Sequence, residues 1–272
     1  MAATPVDGIH DGRPGRRQLL RGLAGGVVAA TALGLAGRSS ARADVPPVRP
    51  HGGMPRPAVT GAFAGHEIRS LPITEQKAAL TIDCGAGTQG AEAILRTLWA
   101  RRVPATFFMT GRFAADNPAL ARHIADRYPV GNHSMTHPAF PHLTPEQRAE
   151  EVRAAADAIE TAIGRPSEGL FRFPFGRATR ECVREVNAAG YVAAHWKVDT
   201  QGWKGTVGGA STATVVDRTL HDLRPGAIVL MHLGATPEDH SAVDATALPD
   251  LIDAIRARDY GFTTLRGLLT AR

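Results

Sequence analysis

The chain has 272 residues, with 31 Lys and Arg, 26 Asp and Glu, and a formal net charge of +5. Residues 1–43 hold six of the basic and two of the acidic residues, so the rest of the chain carries a net charge of only +1. A nucleic-acid partner would need a basic face, so this balance removes the main support for one, and we expect none. Cys84 and Cys182 are the only cysteines, which excludes a disulfide framework.

Residues 1–43 resemble an export signal. Arg16 and Arg17 precede a weakly apolar run over 23–37, and Ala-Arg-Ala at 41–43 has the pattern of a signal-peptidase site. Paired arginines before such a run are typical of the twin-arginine route, and a Sec signal or an uncleaved anchor are the alternatives. We expect an exported protein, extracellular, periplasmic or cell-wall associated, without stable membrane insertion after processing.

The rest of the chain divides into a lead-in and one domain. Residues 44–72 begin with a stretch rich in Pro, Gly and Arg and are predicted to be flexible. Within 73–272, short apolar runs alternate with helical patterns. The predicted strands are Ala78–Cys84, Ala105–Met109, Pro129–His133, Gly169–Phe173, Tyr191–Trp196, Ala227–His232 and Phe262–Leu265. The predicted helices are Gly90–Arg101, Pro118–Arg127, Pro145–Ile163, Thr179–Ala189, Thr212–Leu223 and Leu248–Arg258.

Strand–helix alternation implies parallel strands joined by helical crossovers. About seven strands are one fewer than a standard eight-stranded barrel needs. The predicted fold is therefore α/β, a single distorted, incomplete (β/α) barrel with about seven parallel strands.

Polar or special residues follow five of the predicted strands. They are Thr-Ile-Asp-Cys-Gly at 81–85, His-Ser-Met-Thr-His at 133–137, Arg-Phe-Pro-Phe-Gly at 172–176, Asp-Thr-Gln-Gly-Trp at 199–203 and Leu-Met-His at 230–232. Each alone has an ordinary interpretation, such as a turn aspartate or a core histidine. Reactive groups of a barrel gather at the C-terminal strand ends, so the joint pattern predicts a site there.

The five clusters, in this order, resemble the motifs of the polysaccharide deacetylase family (the NodB-homology domain, carbohydrate esterase 4), and the resemblance covers residues 78–264. It implies a metal-dependent hydrolase that removes acetyl groups, N-acetyl favoured, from an extracellular or cell-wall glycan such as peptidoglycan or chitin. The implied partner is an acetylated polysaccharide or oligosaccharide, and we expect a monomer.

The resemblance also implies the roles of individual residues. Asp83 matches the general base, Arg172 the cation that pairs with it, and His232 the general acid. His133 and His137 match two ligands of a divalent metal, most simply zinc, which activates water and polarises the acetyl carbonyl. Their four-residue spacing is expected to place both rings on one side of a single helical turn.

Three further residues match the substrate pocket of the family. The backbone N–H of Phe175 corresponds to the oxyanion donor. Leu230 and Trp203 would line a small apolar pocket for the acetyl methyl group.

Two positions depart from the family pattern. Cys84 stands where the family has a second Asp that is the third metal ligand. Three outcomes remain open: the Cys84 thiolate binds the metal, the two histidines and water hold it without Cys84, or the site is inactive. Gly202 replaces the Asp that orients the acid histidine. Asp199 or a water could take over that hydrogen bond, and without either His232 would be a weaker acid.

Two other functions remain open at this stage. A glycan-binding pseudoenzyme of the same fold is consistent with the two departures, although the retained base, acid and histidine pair speak against it. A deacylase that cleaves a small cyclic amide would share the fold, and the export signal disfavours it.

Overall fold

The structure is a computed structural model that describes residues 56–85 and 87–270. The predicted export signal and residues 44–55 of the predicted lead-in lie outside the described residues. The strands are β1 Lys77–Cys84, β2 Ala105–Met109, β3 Val130–Asn132, β4 Leu170–Phe171, β5 Val192–Ala193, β6 Val198–Asp199, β7 Ile228–His232 and β8 Gly261–Phe262. The helices are α1 Ala91–Ala100, α2 Gly111–Asp116, α3 Pro118–Ala125, α4 Pro145–Ile163, α5 Arg180–Ala188, α6 Thr212–Asp222, α7 Val243–Arg256 and α8 Gly267–Thr270.

All strand pairs in the sheet are parallel. Seven strands follow one another in the order β5-β4-β3-β2-β1-β7-β6, and β8 pairs with the start of β1 at Lys77 and Ala78. The ends of the seven-strand row, β5 and β6, are not paired with each other, so the barrel is incomplete. The predicted fold class is confirmed.

Strand β1 lies at the centre and has a hydrophobic face on each side. Leu80, Ile82 and Cys84 pack in the cluster that contains the inner faces of the helices. Ala79 packs in a second cluster with residues of other strands, among them Val192 of β5. Since neighbouring side chains of a strand point to opposite faces, β1 separates a helix side from an inner side. Whether a side chain of β1 can reach the site therefore depends on which of these two sides it occupies.

The lead-in is structured where it is described. Val59, Phe63 and Leu71 are buried, and they pack in the inner cluster. Ile68 forms a parallel bridge with Ala194 just after β5, and a second bridge joins residue 70 to the start of β7. The prediction of a flexible segment is therefore wrong for residues 56–72, because its scattered apolar side chains cover the inner core without a periodic pattern.

Several element boundaries differ from the prediction. Strand β6 and helix α2 were not predicted, because two-residue and six-residue elements carry almost no periodic signal. Helix α7 begins at Val243, five residues before the predicted start, with Pro249 inside it. Among residues 56–85 and 87–270, no helix combines the length and apolar character needed to cross a membrane.

Candidate active site

A pocket of about 620 Å³ opens at the C-terminal ends of the strands. Eight of the ten predicted site residues line it: Asp83, His133, His137, Phe175, Asp199, Trp203, Leu230 and His232. Arg172 and Cys84 do not line it. The barrel geometry brings the five motif clusters together as expected.

Asp83 forms a buried ion pair with Arg172, which does not line the pocket. The Arg172 Nη1 donates a 2.7 Å hydrogen bond to Asp83 Oδ1, and its Nη2 donates to the carbonyl of His195. Burial by itself would raise the pKa of Asp83, but the charge and the hydrogen bond of Arg172 contribute to outweighing it, so the pKa is lowered. Asp83 is therefore a carboxylate at neutral pH, and only Oδ2 is left for the pocket.

His133 is a neutral imidazole with a defined tautomer. Its Nδ1 lies 2.8 Å from the carbonyl oxygen of Arg172, and a carbonyl can only accept, so Nδ1 carries the proton. Its Nε2 lies 3.4 Å from Asp83 Oδ2. Burial lowers the pKa of His133 more than the Asp83 charge raises it. The lone pair on Nε2 is free to bind a cation.

His137 comes beside His133 through an irregular loop. The two ring centroids are 4.8 Å apart, but residues 133–139 are not helical, and Ser134 and His137 both have left-handed φ values, 67° and 65°. The helical turn inferred from the spacing is wrong, because β3 ends at Asn132 and left-handed residues at 134 and 137 prevent a helix from forming after it. Burial, followed by the nearby His133, lowers the pKa of His137 to about 4.

One carboxylate that the sequence analysis did not identify fixes this loop. Glu151 Oε2 on α4 accepts hydrogen bonds of 2.8 Å from the backbone N–H groups of Met135 and Thr136. Its Oε1 accepts a 2.7 Å bond from the Thr136 hydroxyl. A partner of this kind restricts the strained turn between the two histidines.

His232 lies opposite this pair, at the end of β7. Its backbone is in register with Asp83 of the neighbouring strand. Burial by itself would lower its pKa, but the interactions with Asp244, Asp83 and Asp199 outweigh it, so the pKa is raised. The site thus pairs a carboxyl whose pKa is lowered with an imidazole whose pKa is raised, which is the combination expected of a general base and a general acid.

Asp244 is the nearest carboxylate to the His232 ring. Asp244 is 3% exposed, and its Oδ2 accepts a 2.8 Å hydrogen bond from the His232 backbone N–H and lies 3.7 Å from the ring Nδ1. Within the described part of the chain, Nδ1 has no hydrogen-bond partner. Thr200 donates a 2.7 Å bond to Asp244 Oδ1, which fixes the carboxylate in place.

Aromatic side chains form the pocket rim. Phe175 has φ 59°, is 60% exposed and makes an edge contact with the His137 ring at 4.6 Å. Trp203 is 48% exposed, and Leu230 is buried beneath the pocket. Exposed aromatic faces at the rim of a pocket that also contains charged side chains are suited to flat ligands with both apolar and hydroxyl surfaces.

Comparison with known proteins agrees with this arrangement. A family model described as polysaccharide deacetylase matches residues 71–194. A chitooligosaccharide deacetylase of Bradyrhizobium sp. is 36% identical over 190 residues, which cover 66% of this chain and 85% of that protein. The chain belongs to the polysaccharide deacetylase family.

Two further relatives of the family differ in activity. The peptidoglycan-N-acetylglucosamine deacetylase of Bacillus cereus is 26% identical over 205 residues, which cover 75% of this chain and 70% of that protein. The crystal structure of a family 4 pseudoenzyme from Bacillus anthracis has a TM-score of 0.68 and 28% identity, and covers 76% of this chain and 69% of that chain. The names of the deacetylase relatives confirm the predicted enzyme class, a carbohydrate deacetylase.

Among the polysaccharide deacetylase motifs, the first departs most clearly. Cys84 is 0% exposed and packs on the helix side of β1, with its Sγ nearest the Ile82 carbonyl at 3.9 Å. Because β1 continues through Cys84, the thiol points away from the face that Asp83 occupies. Burial, and then the Asp83 charge, raise the pKa of Cys84 well above its usual value. Of the three possibilities that the sequence left open for Cys84, this packing favours those in which the thiol is not a metal ligand.

The fourth motif departs in a different way. Asp199 accepts hydrogen bonds from the Gln201 backbone N–H and the Trp203 indole, at 2.8 and 3.4 Å. The structure therefore uses Asp199 to shape its own loop, whereas the sequence offered Asp199 or a water as the group that orients His232. A side chain at Gly202 would overlap the Asp244 carboxylate.

The histidine pair fits a divalent metal in its donor chemistry. Among residues 56–85 and 87–270, no group of three or more His, Cys, Asp and Glu side chains surrounds a common metal position. His133 and His137 are nevertheless both neutral at neutral pH, as ligands must be, and Nδ1 of His133 is held by a carbonyl in the usual manner of metal-binding histidines. Two imidazoles leave the remaining positions to solvent or substrate.

Proposed function

We propose that this protein hydrolyses N-acetyl groups of a glycan outside the cytoplasm, with chito-oligosaccharide or peptidoglycan as the substrate class. One observation carries the proposal: Asp83 and His232 lie on neighbouring strands beside two neutral histidines, with proton affinities shifted in opposite directions. The relatives that act on these two glycans support the choice of substrate.

Asp83 acts as the general base. Its Oδ1 is occupied by Arg172, so the Oδ2 atom accepts the proton of the water that attacks the acetyl carbonyl. The buried cation of Arg172 keeps the carboxylate ionised before the reaction. The water oxygen adds to the carbonyl carbon, and the backbone N–H of Phe175 donates to the oxygen that becomes negative.

His232 acts as the general acid. Its imidazolium donates a proton to the sugar nitrogen as the C–N bond breaks, which gives acetate and a free amine. Leu230 and Trp203 accommodate the acetyl methyl group at the pocket floor and rim. The exposed face of Trp203 also suits a sugar ring.

His133 and His137 would hold the divalent metal, and zinc is the ion that their chemistry favours. When bound, the metal polarises the acetyl carbonyl and makes the attacking water more acidic. The packing of Cys84 supports the interpretation in which the thiol takes no part and solvent completes the coordination. Asp199 supports the Trp203 loop in this arrangement.

The cellular context is part of the proposal. The paired arginines and the small-x-small pattern within residues 1–43 support export by the twin-arginine route, with the domain acting as a monomer on an extracellular or cell-wall glycan. Fractionation of cells that express the full chain, with Arg16 and Arg17 both changed to Lys as the comparison, tests the route.

Acetate release from the purified chain tests the enzymatic function. We expect release from N-acetylated chito-oligosaccharide or peptidoglycan, and loss of activity after chelation. His133→Ala should lose bound metal, and Asp83→Asn should lower kcat by about 10²- to 10⁴-fold. The exposed His123→Ala is the matched control and should retain both activity and metal.

A glycan-binding pseudoenzyme is the second candidate. The similarity to the Bacillus anthracis pseudoenzyme, of which a mutant with restored activity is known, favours it. Binding of glycan without acetate release, with zinc, manganese or cobalt added, would establish this alternative and contradict the proposed hydrolase.

A further inference from the structure

We propose that Asp244 of α7 is the positioning residue for His232, in the place of the Asp that the family pattern has at position 202. This inference rests on the proposed function, because His232 is taken as the general acid. The carboxylate comes from a helix that carries none of the five motif clusters, 42 residues further along the chain. The structure thus assigns a role to a residue outside the motifs.

The contacts of Asp244 are those of a fixed partner. The carboxylate is almost fully buried, and each of its oxygens accepts a hydrogen bond, from the His232 backbone N–H and from the Thr200 hydroxyl. Oδ2 of Asp244 also lies 3.7 Å from Nδ1 of the His232 ring. Within residues 56–85 and 87–270, this Nδ1 has no hydrogen-bond partner. A small rotation of the ring closes this gap to a hydrogen bond.

Gly202 makes room for this carboxylate. A Cβ at position 202 would overlap Cγ and both oxygens of Asp244, so a side chain at 202 and the carboxylate of 244 occupy the same space. An acidic side chain beside His232 can therefore come either from position 202 of the motif or from position 244 of α7, but not from both. A glycine at position 202 is required because the Asp244 carboxylate occupies the space of a side chain there, and the carboxylate beside His232 is retained.

The other nearby carboxylates have different tasks. Asp83 is bound by Arg172, and Asp199 by the Gln201 N–H and the Trp203 indole. Asp244 is the one whose oxygen contacts the backbone of His232 and faces its ring. An ordered carboxylate at Nδ1 directs Nε2 towards the pocket, where the leaving nitrogen must be protonated.

Two substitutions separate positioning from packing. Asp244→Asn keeps the shape and the acceptor for the His232 N–H, yet we expect kcat to fall about 10- to 100-fold with little change in KM. Gly202→Asp alone should crowd two carboxylates and lower the Tm. Gly202→Asp combined with Asp244→Ala should recover most of the kcat that Asp244→Ala loses.

Asp250→Asn is the matched control, an exposed carboxylate on the same helix, and should leave kcat and Tm unchanged. Wild-type kcat in Asp244→Asn would overturn the proposal, and so would a double variant that folds but is no more active than Asp244→Ala.

A measurement without turnover keeps this test separate from the proposed function. In the metal-free protein, ¹⁵N NMR of neutral His232 should show the proton on Nδ1 in the wild type and in the double variant. In Asp244→Ala the proton should move to Nε2. An unchanged tautomer in Asp244→Ala overturns the positioning role even if no substrate has been found.

Discussion

The two sides of the pocket have each lost an acidic residue of the family pattern, with opposite consequences. On the side of β7 and α7, the missing carboxylate at Gly202 is replaced by that of Asp244, which occupies the same space. On the side of β1 and β3, no further carboxylate completes a group of three ligands within residues 56–85 and 87–270, and the thiol of Cys84 lies in the helix-facing core. A motif position can therefore be lost in sequence and kept in space, and only the structure distinguishes the two outcomes.

The histidine side should depend strongly on what holds its loop. Glu151→Ala removes three hydrogen bonds from Met135 and Thr136, and we expect metal affinity to fall about 10- to 100-fold. Isothermal titration with zinc measures this. Glu150→Ala, on the solvent face of the same helix, should change affinity little. Equal effects of the two variants would show that the loop is fixed by other contacts.

The two sides should also differ in proton affinity. In the metal-free protein, His137 should titrate near pH 4 and His232 above 6.5, because His137 is desolvated and His232 faces carboxylates. The lowered pKa of His137 removes stability as pH falls from about 6.5 to about 4. The raised pKa of His232 contributes stability below about 6.5, which is lost as pH rises through its folded pKa.

Histidine NMR signals followed over pH measure both values. Asp244→Asn should lower the pKa of His232 and leave that of His137 unchanged. A pKa of His232 equal to or below that of His137 would contradict the expected difference in proton affinity between the two sides.

Much of this arrangement could be predicted from the sequence, because parallel strands bring their C-terminal ends to one edge. That rule was sufficient to place His133 and Asp83, which are 50 residues apart, in one pocket. The predicted start of α4 at Pro145 is also confirmed, and a capping box of Thr144 and Gln147 marks it in the structure. Where a strong local signal existed, the prediction was accurate.

Two features could not be predicted, for definite physical reasons. The face of Cys84 depends on whether β1 ends one residue earlier or later, a precision that periodicity does not provide. Asp244 was missed because the predicted helix started at Leu248, whereas α7 begins five residues earlier at Val243. The available signal was its spacing: Asp244 precedes Leu248 by four residues and Leu251 by seven, so it belongs to the buried stripe of the helix.

Cys84→Ala tests the side on which no replacement was found, and its expected effect is the smallest. The thiol lies in the core, so we expect unchanged zinc affinity and a loss of about 1–2 kcal/mol in the free energy of unfolding from the cavity. Calorimetry and zinc titration of the same samples measure both. Cys182→Ala, a second buried cysteine away from the pocket, is the matched control for stability. A selective loss of zinc affinity in Cys84→Ala would mean that the end of β1 turns the thiolate towards His133 when metal binds, and both departures would then be compensated.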